Sequence, residues 1–303
     1  LAVQQVRVLV NGTWHTLTYN GTTGKYEKSI TAPTITSYNQ SGGYYQLTVE
    51  ATDDHGNVTT DSANAAARLT VKETTKPVVT ITSPSSGAML DSNTPAIVFT
   101  VTDESNGSGV NTSTVALKID GGSTIGDGAA GMVRTAITNG YRYTYTLQSA
   151  LSDGAHTITV NAADNDGNTA TQKTVNFTVD TVPPALNVTA PVNSLKTNIA
   201  ACNVTGTTND ATSSSVTVTV KLNGVDQGSV SIDGSGNFNK AITLAAGSNT
   251  IVVRSTDLAG KFTEVTRTVS LNTVAPVISN IAITPNPANA GDSILISCTV
   301  TDS

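Results

Sequence analysis

Apolar and polar residues alternate with a period of two along most of this chain, and the alternating runs end on Gly, Asn, Asp or Pro. A two-residue period puts every second side chain on one face, so the pattern predicts half-buried β-strands. One set of runs leads into glycine turns: VRVLVNG at 6–12, VALKID at 115–120 and VTVTVKLNG at 216–224. A further turn then leads to a second set: GKYEKSI at 24–30, YRYTYTL at 141–147 and GNFNKAITL at 236–244. Strand pairs around a glycine-bearing turn come next: LTVEATDDHGNVTT at 47–60, ITVNAADNDGNTATQKTVNFTV at 158–179 and IVVRSTDLAGKFTEVTRTVSL at 251–271. Asp at such a turn offers local side-chain hydrogen bonds, and Gly tolerates positive φ. No 3.6-residue period is long enough for a helix; a single helical turn is expected at Asn64–Ala67.

Each of these hairpins runs into a proline-bearing joint: KETTKPVVTITSP, VDTVPPALNVTAP and LNTVAPVISNIAITP. Two strands then open the next unit. They are PVVTITSP (77–84) with PAIVFTVTD (95–103), ALNVTAP (185–191) with IAACNVTG (199–206), and VISNIAITPNP (277–287) with SILISCTVTD (293–302). Pro84, Pro191 and Pro285 close the first strand, where the missing ladder donor is tolerated. The units this predicts are 1–73, lacking its first two strands; 77–180 and 183–272, both complete; and 276–303, the first two strands of another. A period of about 90–105 residues suits one small β-sandwich. Short joints carrying Pro favour an extended, semi-rigid rod, each unit adding about 35 Å. Aligned on the second unit, Ser303 matches Glu104 and Leu1 falls near Val110, so tail and head hold complementary strands of one sandwich. Either the sequence is a window on a longer array, or the tail strands of one copy, 276–303, complete the head of the next. The second arrangement would give an open head-to-tail filament.

Composition removes several classes of function. Charged residues make up 13 % and the net charge is −6, with no basic stripe or stacking platform for nucleic acid. No apolar run reaches the roughly 18 residues of a membrane span. Cys202 and Cys298 occupy the place of Phe99 in their repeats, two residues before a Val, which predicts buried core positions rather than a disulfide or zinc site.

The recurrent hairpin (Ala51-Thr52-Asp53-Asp54-His55-Gly56-Asn57 and Ala163-Asp164-Asn165-Asp166-Gly167-Asn168) and the joint Asp180-Thr181-Val182-Pro183-Pro184 resemble tandem bacterial immunoglobulin-like arrays. The resemblance covers essentially the whole chain and is strongest to Ig-like repeats of prophage structural modules and Gram-positive surface proteins. The stretch Leu17-Thr18-Tyr19-Asn20 with Gly24-Lys25-Tyr26-Glu27 is most similar to the prophage type. It implies an all-β chain of tandem Ig-like β-sandwiches with an extracellular place, on a phage virion, tail-associated, or on a bacterial cell surface. Its implied partners are other copies of itself or other virion or cell-surface structural proteins. The paired cysteines of antibody domains are absent, and Trp14 follows a strand and a turn rather than filling a core.

Candidate chemistry is sparse. Asp164, Asp166 and Asn168 have the i, i+2, i+4 oxygen spacing that opens a calcium loop, but Thr171, Gln172 and Lys173 follow where further ligands would stand. Lys261 takes the Asn168 place in the next repeat, so a hydrogen-bonded turn competes with a calcium reading; a joint site using Asp180 is a variant of it. His15, His55 and His156 lie apart, no G-x-S-x-G elbow or glycosidase-like acid pair stands out, and a catalytic site is not expected. Tyr141, Tyr143 and Tyr145 share one sheet face, either a core layer or a strip for stacking a surface glycan or docking a receptor. Structural array and adhesion module are therefore the rival functions.

Overall fold

A computed structural model describes residues 2–212 and 215–302. Leu1 and Ser303, on which the alignment of the two ends turns, lie outside them. Strands dominate, and the short helical pieces are single 3-10 turns, among them Ala65–Ala67 capped by the Asn64 side chain. The chain divides into two compact units, 1–179 and 180–303.

In the first unit, strands between 78 and 179 build a closed sandwich of two four-stranded sheets. One holds Met132–Ile137, Gly140–Tyr145, Ile97–Thr102 and Val78–Ser83; the other holds Val110–Ile119, Gly154–Asp164, Lys173–Val179 and Met89–Leu90. Alternation decides the faces. Ile97, Phe99 and Val101 are fully buried while Val98, Thr100 and Thr102 are half-buried. Opposite them Leu117, Ile158, Val160, Phe177 and Val179 close the core. The strands before residue 77 form a five-stranded sheet of Val3–Val10, Thr13–Asn20, Lys25–Glu27, Thr48–Asp53 and Val58–Asp61, plus the small pair Tyr45–Gln46 and Arg68–Leu69. Among the described apolar residues here, only Val6, Val10 and Tyr45 are buried.

In the second unit, a three-stranded sheet (Ala185–Ala190, Ala201–Asn209, Asn237–Thr243) faces a five-stranded one (Leu195–Thr197, Phe262–Leu271, Gly247–Thr256, Thr217–Leu222, Val225–Asp226). Val188, Val204, Val220, Phe238, Ile251, Val253 and Leu271 fill the space between. At Gly206 a Cβ would stand 2.3 Å from the Asn187 carbonyl oxygen and 2.6 Å from the Phe238 ring, so only glycine lets these strands close on the ring. Val277–Thr284 and Leu295–Thr301 pair as a separate hairpin. No described residue of that hairpin is buried, and Ile278, Ile281, Ile283, Leu295, Ile296 and Val300 are exposed. The cysteine expectation divides here. Cys202 packs partly against the second core, whereas Cys298 is exposed because no second sheet covers its strand among the described residues.

Candidate functional site

The polar chemistry of the chain concentrates where the strands before residue 77 meet the sandwich after it. Three segments converge: the joint 72–75, the loop 103–110 that leaves strand Ile97–Thr102, and the turn 164–168. The Glu73 backbone N–H donates to Asp166 Oδ2 at 3.1 Å, and the Glu73 carbonyl accepts from Asn168 Nδ2 at 3.2 Å. Thr36 Oγ1 donates to the same Asp166 carboxylate, Lys72 Nζ reaches the Asp166 carbonyl at 3.3 Å, and Asn39 Nδ2 donates to the Gly107 carbonyl at 2.6 Å. Asn165 Nδ2 donates to the carbonyls of Ser108 and Gly109, both at 2.9 Å. At Gly107 a Cβ would lie 2.8 Å from Asp103 Oδ2 and 2.9 Å from Glu104 Cδ, so a side chain there would push these carboxyl groups aside.

Within this frame, carboxylate oxygens of Glu73, Asp103 and Asp164 lie within 4.8 Å of one another. Asp164 is 1 % exposed and is engaged by its own turn: Oδ1 accepts from the N–H groups of Gly167 and Asn168, and Oδ2 from Asn168 Nδ2. Asp103, 7 % exposed, accepts from Gly109 N–H through Oδ2 at 2.7 Å, and Glu73 from Ser108 N–H through Oε1 at 2.7 Å. Their other oxygens, Asp103 Oδ1 and Glu73 Oε2, are buried with no hydrogen-bond partner, as is Glu104 Oε2. Burial pushes the Asp103 carboxyl up; burial, then the neighbouring Glu104 carboxyl, push Glu73 up.

The second unit repeats the arrangement. Asp180, Asp210 and Asp257 place carboxylate oxygens within 4.8 Å of one another, Asp180 fully buried and Asp257 nearly so, with Asp257 Oδ2 unpartnered. Strand register shows the positions to be equivalent. Val78 pairs Thr102, just before Asp103, and Ala185 pairs Asn209, just before Asp210. Asp164 and Asp257 each open the turn of their hairpin, and Glu73 and Asp180 stand five residues before the first residue of the strand that starts the next sandwich.

The predicted trio does not converge as a ligand set. Asp164 joins Glu73 and Asp103, Asp166 spends its carboxylate on Thr36 and the Glu73 N–H, and Asn168 is a donor to Asp164 and Glu73. The three residues form a hydrogen-bonded turn, and their spacing carries no sign of the grouping of Asp164 with Glu73 and Asp103. The tyrosine strip points inward. Tyr143 is fully buried and stacked on Phe99 at 5.0 Å, Tyr145 is 6 % exposed, and Tyr141 alone is half-buried, under the Arg134 guanidinium. A strip with two of its three rings in the core offers no stacking face. The histidines stay apart: buried His156 bonds Asp120 and the Ser152 carbonyl, exposed His55 bonds Asp54, and His15 lies on strand Thr13–Asn20. Half-buried Asp53 and exposed Asp54 and His55 are accounted for by their turn, whose Asn57 side chain and N–H hold Asp53 below the usual carboxylate range.

Two family models match. A bacterial Ig domain model covers residues 77–160, and glucodextranase domain B covers 184–273, so the matches fall on the two closed sandwiches. No curated protein matches the chain. Similar solved structures include fibronectin(III)-like modules of Clostridium thermocellum CbhA, 19 % identical over 64 % of this chain and 94 % of that one, TM-score 0.40. Immunoglobulin domains 1–4 of Sidekick-1 are 12 % identical over 89 % and 68 %, TM-score 0.40. A 1.5-MDa bacterial ice-binding adhesin is 19 % identical over 88 % and 86 %, TM-score 0.31. At these values the likenesses carry no argument about function.

Proposed function

The chain is a tandem array of immunoglobulin-like β-sandwiches, and from that premise we propose that it works as a non-catalytic structural element, an extended extracellular fibre or stalk on a virion or a bacterial cell surface. The observation that carries this reading is the succession of closed sandwiches, 78–179 and 185–271, separated by a joint of only a few residues with two prolines. Such a design spends its residues on repeating length. The hydrogen bonds between the joint 72–75 and the turn 164–168 favour a stiff connection in the first unit. The burial of Tyr143 and Tyr145 weighs against the rival reading of a glycan-stacking face. The apolar side of the hairpin Val277–Thr301 fits the opposing sheet of an Ig-like sandwich, supplied by further chain or by a second copy. Immunogold labelling of intact cells and purified virions with antibody to 77–272 tests the placement. Labelling along a projecting structure is expected; label found only inside lysed cells would overturn it.

A further inference from the structure

We propose that Asn11 is a site of spontaneous covalent modification, where the Gly12 backbone nitrogen closes on the Asn11 side chain and turns it into aspartate and isoaspartate. The inference goes beyond the reading as a structural array and holds wherever the array is displayed. It starts from chemistry common to every Asn-Gly pair. The side-chain amide carbon of Asn is an electrophile, the nitrogen of the next residue is a nucleophile, and Gly has no Cβ to keep the two apart. The chain has five such pairs, beginning at Asn11, Asn20, Asn106, Asn139 and Asn223. The fold treats them differently.

Four are guarded. Asn20 is tied at both ends of its amide: Nδ2 donates to Glu27 Oε2 and Oδ1 accepts from the Thr22 N–H, both at 2.9 Å. Asn223 is tied in the same way, Nδ2 donating to Asn249 Oδ1 at 3.1 Å and Oδ1 accepting from the Thr250 N–H at 2.8 Å. At Asn106 the nucleophile is engaged, because the Gly107 N–H donates to the Glu104 carbonyl at 3.2 Å. At Asn139 the nucleophile is wedged. Gly140 lies in the ladder opposite Ile137 and Thr102, and a Cβ on it would stand 2.1 Å from the Val101 carbonyl oxygen. Asn11 has neither guard. Asn11 and Gly12 are exposed and make the two-residue turn closed by Val10 and Thr13, with φ of +45° and +77°. Among the described residues, no hydrogen bond holds the Asn11 side chain or the Gly12 N–H. No atom lies within 4 Å of the place a Gly12 Cβ would take.

The step balances with water as the one co-reactant. The Gly12 nitrogen bonds to Asn11 Cγ, the Cγ–Nδ2 bond breaks, and Nδ2 leaves as ammonia with the Gly12 amide proton. Water then opens the succinimide ring at either carbonyl, giving aspartate or isoaspartate, and nothing is oxidised or reduced. Either product adds one negative charge to a net charge of −6. Isoaspartate also puts an extra carbon into the main chain of the turn, whose length fixes the register of Val3–Val10 against Thr13–Asn20. The first hairpin would therefore loosen as the protein ages, without any enzyme.

The test incubates the full chain in mildly alkaline buffer, folded and in denaturant, and follows each Asn by peptide mapping with mass spectrometry. In the folded chain Asn11 should convert at least about tenfold faster than each of the other four, the factor that one hydrogen bond of ordinary strength adds to a barrier. In denaturant the guards are gone and that advantage should be lost. Asn11→Gly, which suits the positive φ of the turn, should remove the fast release of ammonia. Conversion of Asn11 no faster than Asn20 and Asn223 in the folded chain would overturn the proposal. So would an equal preference for Asn11 in denaturant, or a fast ammonia release that survives in Asn11→Gly. Each such failure leaves the array reading intact, because that reading is judged by placement and shape.

Discussion

Replacing Tyr143 separates a core residue from a docking residue by sign and size. The ring is fully buried and stacked on Phe99 with centroids 5.0 Å apart, while its hydroxyl oxygen is buried without a hydrogen-bond partner. Burial is also the first cause that pushes the phenol up to about 12, ahead of the Asp127 carboxylate. Tyr143→Ala removes the ring and leaves a cavity, a change that costs about 3–5 kcal/mol in protein cores. For a sandwich of about 100 residues that is a fall of at least about 12 °C in its melting transition. Tyr143→Phe keeps the ring and removes an unpaired polar atom whose burial costs about 1–3 kcal/mol. It should therefore melt at or above the parent. Differential scanning calorimetry of the full chain reads both, with the transition of 185–271 as an internal reference. A Tyr143→Ala protein that melts within about 2 °C of the parent, as surface substitutions do, would refute the core assignment. A Tyr143→Phe protein that falls as far as the alanine variant would show that the hydroxyl is paired.

Other outcomes follow from the same geometry. Gly236→Ala should destabilise the second unit by about 2 kcal/mol or more, since the residue has φ +83° and a Cβ would sit 2.1 Å from the Thr208 carbonyl oxygen; an unchanged denaturation midpoint would contradict the register given for that edge. His156 loses to burial but gains more from Asp120 and the Ser152 carbonyl, so its pKa stands above the usual histidine value, and Asp120, opposed by burial but helped by His156, stands below the usual carboxylate value. The histidine term is fully present below about pH 6.5 and lost as pH rises through the raised folded value; the Asp120 term is present above about pH 3.9 and lost as pH falls through the lowered one. The parent-minus-His156→Gln stability difference should thus be largest between about pH 4 and 6.5, and a difference that grows toward pH 9 would be the wrong sign. Deleting 276–303 should leave the transitions of 78–179 and 185–271 within about 1 °C, because no described residue of that hairpin is buried; a larger loss would mean that the hairpin is covered within the chain.

Much of the fold was readable from period and punctuation. Runs such as IVFTVT and HTITVNAAD alternate so strictly that their inward residues, Phe99, Val101, Ile158 and Val160, follow from parity once one is placed. Parity says that Tyr141, Tyr143 and Tyr145 share a face without saying which; that required the pairing of Tyr143 with Phe99 across the sheet. Position in a repeat also misleads where packing is missing. Cys298 stands where Phe99 stands, yet is exposed because burial depends on a second sheet. The acidic group was the least legible feature. Glu73 reads as linker, Asp103 as a strand end and Asp164 as a turn, and only strand register brings them together. The signal that could have found them is the recurrence of acids at these three positions in the next repeat, Asp180, Asp210 and Asp257.

Small-angle X-ray scattering of the full chain tests the central claim, that tandem sandwiches build an extended element, most directly. If the proposed extended arrangement holds, the four successive segments of about 35 Å make a rod of about 140 Å, whose radius of gyration is about 40 Å. A compact globule of this length would show about 19 Å. The account predicts the larger value with the rod-like scattering of stiffly joined units; a value near the smaller one would contradict it.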